Sequence, residues 1–460
     1  MPQCLGVMMI KGYRRKAYCF FKTDAVPFFF SVGALLIPGA DLMAGPLLNQ
    51  TQRNTADTVL VACQQGDKVN KRQFQDRCNA LVTAGGGIPN FPTTGDSQAN
   101  NAIREIAAEQ VIAPGTQTTK ISIGQVNTIN AAIITRLATL QAGLDSGKNN
   151  TTYAGLQPMY QTGGSAGEGE DELSRLGVWV NGAYNWGDVD STFQEVGFDF
   201  NNWIVMAGAD YRLTDNIVFG GAFTYLNSFS SINQNGGSVN NNSYIGSIYG
   251  SYYVTDSFFV DLIASYGGAD YDIKRRIQYS VGGALAETIN TQAQGSPGGN
   301  QYAFGLSSGY DFAFGGMTLS PLARLNYLKL QIDSYSETGG DGWAQAFNGQ
   351  GVESLVSGVG FNADYAISSS IGVFVPQFHF EWLHEFSANA RTITTRYLGD
   401  GRNNLFNVVT TGPDRDYFLI GGGVSAQFAY GISAFVDYNA VVGYSNIENN
   451  KIMLGARIEL

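Results

Sequence analysis

Ile432-Ser433-Ala434-Phe435-Val436-Asp437-Tyr438-Asn439-Ala440-Val441-Val442-Gly443-Tyr444 is the stretch that decides the fold. Ile432, Ala434, Val436, Tyr438, Ala440, Val442 and Tyr444 fall on one side of an extended chain, and Ser433, Asp437 and Asn439 on the other. The period recurs upstream. Phe258, Val260, Leu262, Ala264 and Tyr266 alternate with Asp261, Ser265 and Gly267; Phe374, Pro376, Phe378, Phe380 and Trp382 alternate with Gln377, His379 and Glu381. Phe259, Ile263, Val375, Phe435 and Val441 interrupt the polar side.

Working outward, Leu176 to Leu460 reads as twelve such segments: about 176–187, 200–213, 216–228, 241–254, 257–271, 301–313, 316–330, 355–367, 371–386, 416–429, 432–445 and 450–460. Five connections are tight: Thr214-Asp215-Asn216, Thr255-Asp256-Ser257, Gly315-Gly316, Ser368-Ser369-Ser370 and Tyr430-Gly431. Others are long and polar, such as Lys274 to Asn300, Asp333 to Glu353 and Ser387 to Arg415. Short turns at one rim, long loops at the other and aromatic-rich strands between them predict an all-β transmembrane barrel of about 12 antiparallel strands in a Gram-negative outer membrane. The apolar set would face lipid and the polar set the lumen. An even count puts both barrel ends on the periplasmic side. A soluble propeller would show a blade repeat, and none is found.

Composition agrees. Only 14% of the residues are charged, against about 25% in ordinary soluble domains. Mean hydropathy is nevertheless near zero, because alternation hides the apolar face within a polar average. The net charge of -11 argues against nucleic acid, which calls for a basic stripe.

The first 44 residues read as an export signal. Lys11, Arg14, Arg15, Lys16 and Lys22 precede an apolar run from about Ala25 to Pro38, and Leu42-Met43-Ala44 offers a cleavage site. Cys4 and Cys19 fall in that segment. Cys63 and Cys78 remain, and in an exported chain they suggest one disulfide.

Residues 45–144 read as a small α-helical N-terminal domain. Val59, Leu60 and Cys63, then Phe74, Cys78 and Leu81, lie at helical spacing on either side of Gly66-Asp67, giving a stapled hairpin. Another helix is expected from Gln98 to Ile112. Ser122 to Ala142 is the strongest helical segment, with Ile123, Val126, Ile129, Ile133, Leu137 and Leu140 on one face. Residues 145–175 read as a flexible acidic linker.

This order of parts resembles the autotransporter (type V secretion) family: export signal, N-terminal passenger, helix, C-terminal twelve-stranded β-domain. The last strand, Lys451-Ile452-Met453-Leu454-Gly455-Ala456-Arg457-Ile458-Glu459-Leu460, looks like the signal read by the barrel-assembly machinery. Gly455, Ile458 and Leu460 match it, while Met453 stands where a polar residue is usual and Leu460 where an aromatic is. The resemblance implies outer-membrane lipid as the surroundings, with the Sec translocon and the assembly machinery as partners in biogenesis. It also implies a helix through the lumen, for which Ser122–Ala142 is the candidate; packing in the passenger's own core is the alternative for its apolar stripe. Some members cut themselves between two asparagines, and Asn149-Asn150 is such a pair, of a kind that chance supplies in an Asn-rich chain. The passenger is shorter and more helical than the family's usual β-helix, so no passenger activity and no surface ligand is inherited.

Little chemistry emerges. His379 with Glu381 and Gln377 is expected on the lumenal side, in a polar network with Asp210, Arg212, Arg324 and Arg457. His384 falls on the Trp382 side, near the interface. No G-x-S-x-G elbow is present, and the Gly-rich stretches lack the lysine of a phosphate loop. Gly421-Gly422-Gly423 is expected to make room for aromatics. Asp333, Glu337, Asp341, Asp414 and Asp416 are expected to be solvated loop charges. No catalytic, cofactor-binding or metal-ligating set is assigned. The expected function is an outer-membrane barrel that anchors and presents or exports a small helical domain. A stand-alone channel gated by a periplasmic N-terminal domain is the alternative, and a His379 hydrolase a distant third.

Overall fold

The computed structural model describes residues 48–109 and 175–459, with breaks at 67, 88–90, 92–96, 215, 256 and 429–431. The export signal, the 122–142 helix, Asn149-Asn150, nearly all of the linker and Leu460 lie outside the described residues.

Among the described residues are three helices, α1 (Gln50–Cys63), α2 (Arg72–Ala84) and α3 (Ser97–Ile106). Twelve long strands follow: β1 (Leu176–Val189), β2 (Phe198–Thr214), β3 (Ile217–Ile232), β4 (Gly237–Tyr253), β5 (Phe258–Val281), β6 (Gly298–Tyr310), β7 (Met317–Ile332), β8 (Gln350–Tyr365), β9 (Gly372–Glu385), β10 (Asp416–Gln427), β11 (Ile432–Val442) and β12 (Ile447–Glu459). Each pairs antiparallel with the next. β1 pairs with β12 from Gly177↔Glu459 to Val189↔Ile447, which closes the ring. Closure leaves no unpaired edge, the condition for strands to cross lipid.

Strand positions agree with the sequence reading to within a few residues, except around β5. There a long polar connection was expected from Lys274 to Asn300. The strand instead continues to Val281 and returns as Glu287–Gly295, because Ile273, Ile277, Tyr279 and Val281 keep the alternation going. Above the barrel that buried face meets the helices instead of the lumen.

The outer face carries the apolar set: Trp203, Phe223, Tyr266, Val436, Leu454 and Ile458 are all exposed to the surroundings. Aromatic pairs on neighbouring strands, Tyr184–Trp203 at 4.4 Å and Tyr266–Tyr302 at 5.1 Å, build an interfacial girdle.

The interior corrects one expectation. The β1–β5 wall carries an apolar patch of Trp179, Ile204, Met206, Leu226, Ile245 and Ile263, beside buried polar residues such as Asn202, Asp210, Asn241 and Asp261, while Arg324, Glu381, Asp437, Lys451 and Arg457 are buried on β7–β12. Phe259 and Ile263, which interrupted the polar pattern, belong to this apolar patch. A Cβ on Gly421 would lie 2.0 Å from His379 Nε2 and 2.6 Å from Asn439 Oδ1, so this glycine makes room for the His379 ring and the Asn439 amide.

Candidate functional site

The structure concentrates its long-range chemistry at the long-loop rim, where the three helices sit. Asn49 caps α1: its side chain accepts from Gln52 N at 2.9 Å while Gln52 Oε1 accepts from Asn49 N at 3.1 Å. Val59 and Cys63 on α1 face Phe74, Cys78 and Leu81 on α2, all buried. The disulfide Cys63–Cys78, with Cα atoms 5.4 Å apart, staples the two helices. Ala102, Ile103 and Ile106 of α3 complete the helical half of the core.

The other half comes from loops. Trp343, Phe347, Ile393, Tyr397, Phe406 and Val408 lie in the same core. They are held by a small sheet of Tyr335–Ser336, Gln345–Phe347, Thr392–Tyr397 and Phe406–Val409. Phe74 sits against Trp343 and Tyr397 with ring centres 5.6 and 5.4 Å away. The helical unit therefore has no separate core of its own.

Polar contacts fix its position. Arg77 bridges two loops, reaching Glu287 Oε2 at 2.7 Å and Asp341 Oδ2 at 2.6 Å. Burial pulls its pKa down, but these two carboxylates outweigh that and leave it raised. Beneath it, Arg275 makes a two-pronged pair with Glu337, Nε–Oε1 2.9 Å and Nη2–Oε2 2.7 Å, with neither side chain more than 1% exposed. Glu337 and Asp341 are thus ion-pair partners, against the expectation of solvated charge. On the far side of the ring, Asn49 Nδ2 donates to Phe193 O at 2.9 Å and to Glu109 Oε1 at 2.7 Å. Burial pushes the Glu109 carboxyl up to about 7.

Placement follows from the ring order. Phe193 is in the β1–β2 connection and Asp341 in the β7–β8 connection, half-way round a twelve-stranded ring. Asn54 Nδ2 donates to Asn407 O in the β9–β10 connection at 2.9 Å. A body that touches loops on opposite sides must lie across the mouth. The helices are a cap.

The expected lumenal network resolves into separate groups. Arg324 Nε lies 2.7 Å from Glu381 Oε2, both well buried. Arg457 Nη2 is 3.9 Å from Asp210 Oδ1, and the other oxygen, Asp210 Oδ2, accepts from Tyr249 Oη at 3.3 Å. His379 joins neither: its Nε2 meets Asn439 Oδ1, and its Nδ1 lies 3.8 Å from Asp437 Oδ2. Arg212 stands opposite Val218 of β3. On the outer wall His384 Nδ1 is 2.8 Å from Asp416 Oδ1, and Ser357 is its register partner on β8. Hydroxyl, imidazole and carboxylate thus stand side by side on three strands. The ladder commits the backbone amides of these strands to their neighbours.

Comparison with known proteins agrees with the geometry. The family model described as the autotransporter beta-domain matches residues 178–439. The translocator domain of the autotransporter NalP from Neisseria meningitidis is similar in fold, with TM-score 0.53 and 17% identity over 77% of this chain and 100% of that one. Among curated proteins, Esterase EstA of Pseudomonas aeruginosa is 26% identical over 215 residues, 45% of this chain and 32% of the relative. Outer membrane protein B of Rickettsia prowazekii is 23% identical over 291 residues, 61% of this chain and 16% of the relative. The chain spans at most about a third of the length of the curated relatives it matches. A closed barrel of twelve strands, a girdled outer face and a family match covering more than half the sequence make this chain a member of the autotransporter family, an outer-membrane β-barrel.

Proposed function

We propose that the barrel anchors the chain and displays residues 48–109 at the cell surface as a cap across its external mouth. The observation that carries this is the rim on which the helices sit. It is opposite the rim where β1 begins and β12 ends, and in barrels of this class the short turns face the periplasm and the long loops face outward. The chain must then pass from one rim to the other between residues 109 and 175. On this reading the chain anchors and displays instead of catalysing. EstA's name describes a protein of which this chain matches only 32%. Gly455, Ile458 and Leu460 are assigned to recognition by the barrel-assembly machinery, which with the Sec translocon would be the partners of export.

The test is protease accessibility of an epitope placed after Ala44. Cleavage on intact cells is expected. Cleavage only after permeabilisation would leave a periplasmic domain on a channel, and the display reading would fall. Deleting Ile458 to Leu460 is expected to abolish assembly; a normally heat-modifiable barrel in that truncation would remove the assignment of the final strand.

A further inference from the structure

We infer that the loops of the external rim form a self-sufficient receptor for residues 48–109, holding the cap in place without a covalent connection through residues 110–174. The inference rests on the surface placement proposed above and goes beyond it: the cap is a docked ligand of its own barrel, not a passenger on a tether.

The fit is backbone on backbone. Lys71 N donates to Gly399 O at 2.9 Å, and Gly401 N donates to Asn70 Oδ1 at 3.1 Å. A Cβ on Gly401 would lie 1.9 Å from Val69 O, and one on Gly399 would lie 2.2 Å from Phe74 Cβ. Gly342 has positive φ and would place a Cβ 3.2 Å from Gln73 O. Two loop glycines, Gly399 and Gly401, thus admit the α2 end of the cap at a distance that no side chain permits, and Gly342 adds a close approach at positive φ.

Size gives the second argument. Helices of 14, 13 and 10 residues are marginal in isolation, and a unit of about 60 residues buries too little by itself to be secure. This one completes its core only with Trp343, Tyr397 and Phe406 from the loops.

Third, the contacts are multivalent. Phe193, Glu287, Asp341 and Asn407 belong to four different connections, and each receives a hydrogen bond from the cap. Release requires all to open together, while a tether adds only an effective concentration of about millimolar order. The recognised partner is therefore a stapled helical hairpin of this sequence, held through apolar faces and one forked arginine.

The experiment uses the full-length chain with a tag after Ala44 and a protease recognition sequence inserted at Pro114-Gly115. The protease is applied to intact cells, which are then washed. Expected is a chain cut on denaturing gels with the tag still on the cells. Tag in the wash after cutting would overturn the receptor while leaving surface display standing. Cutting only after permeabilisation would overturn the display reading and this inference together. A Gly399→Ala/Gly401→Ala variant, which alters no barrel strand, is expected to keep a heat-modifiable barrel and to lose the tag once cut. Retention equal to wild type in that variant would also refute the receptor.

Discussion

Glu109 makes the stability of the cap depend on pH. Its carboxylate is buried, accepting from Asn49 Nδ2 at 2.7 Å and Gln52 Nε2 at 2.9 Å. Burial dominates these bonds and lifts the pKa from the ordinary 4.5 to about 7. Glu195 adds to the rise, while Arg104 opposes it. Across the junction Arg391, itself lowered by burial to about 10, faces Glu195. Because the folded pKa lies above the unfolded one, docking favours the protonated acid. The stabilisation is full below about 4.5 and is lost as pH rises through about 7. A displacement of that size corresponds to about 3 kcal/mol in all, of which about 2.5 kcal/mol disappears between pH 5 and pH 8. Glu105, raised mainly by burial, has the same sign. The assay is limited proteolysis of the tagged cap on outer-membrane vesicles, as a function of pH. Wild type should be more resistant at pH 5 than at pH 8. Glu109→Gln, whose amide oxygen can still accept both bonds, should flatten most of that difference and protect the cap at pH 8. A wild-type profile without slope, or a Glu109→Gln profile that keeps the wild-type slope, would refute the reasoning.

Arg275→Met should loosen the cap by about 3–5 kcal/mol, because it strands the Glu337 carboxylate in a dry core; the same proteolysis assay reads it, and wild-type resistance would speak against a buried pair. Cys63→Ser with Cys78→Ser should cost roughly 3 kcal/mol on the loop-entropy estimate, seen as faster proteolysis of the cap with unchanged barrel heat-modifiability. Gly421→Ala should lower the unfolding temperature of the barrel, since the added methyl meets His379 and Asn439. If pairing with His379→Ala does not restore part of the loss, the steric account is wrong.

The barrel was legible because lipid imposes a period of two on every strand, and strands such as Ile432–Val442 keep an unbroken apolar side even where Phe435 and Val441 interrupt the polar one. The helical hairpin was legible from Val59, Cys63, Phe74 and Cys78 for the corresponding reason at a period near 3.6. The cap site was not. Arg275 and Glu337 are far apart in the chain and carry no local mark, so Glu337 in a presumed loop looked solvated. The partners that His379 meets on β11, Asp437 and Asn439, depend on register, which alternation alone leaves open. The apolar patch on the β1–β5 wall escaped because a strand with both faces apolar looks like a flaw in the pattern.

The shared core of helices and loops also orders events in time. Cys63 and Phe74 leave the ribosome early, yet the residues that enclose them extend to Phe406 and Val408. The mean sequence separation of the cap's native contacts is therefore large, the condition under which folding is slow. The helices are synthesised before the loops that enclose them, and they cannot complete this core until those loops are in place.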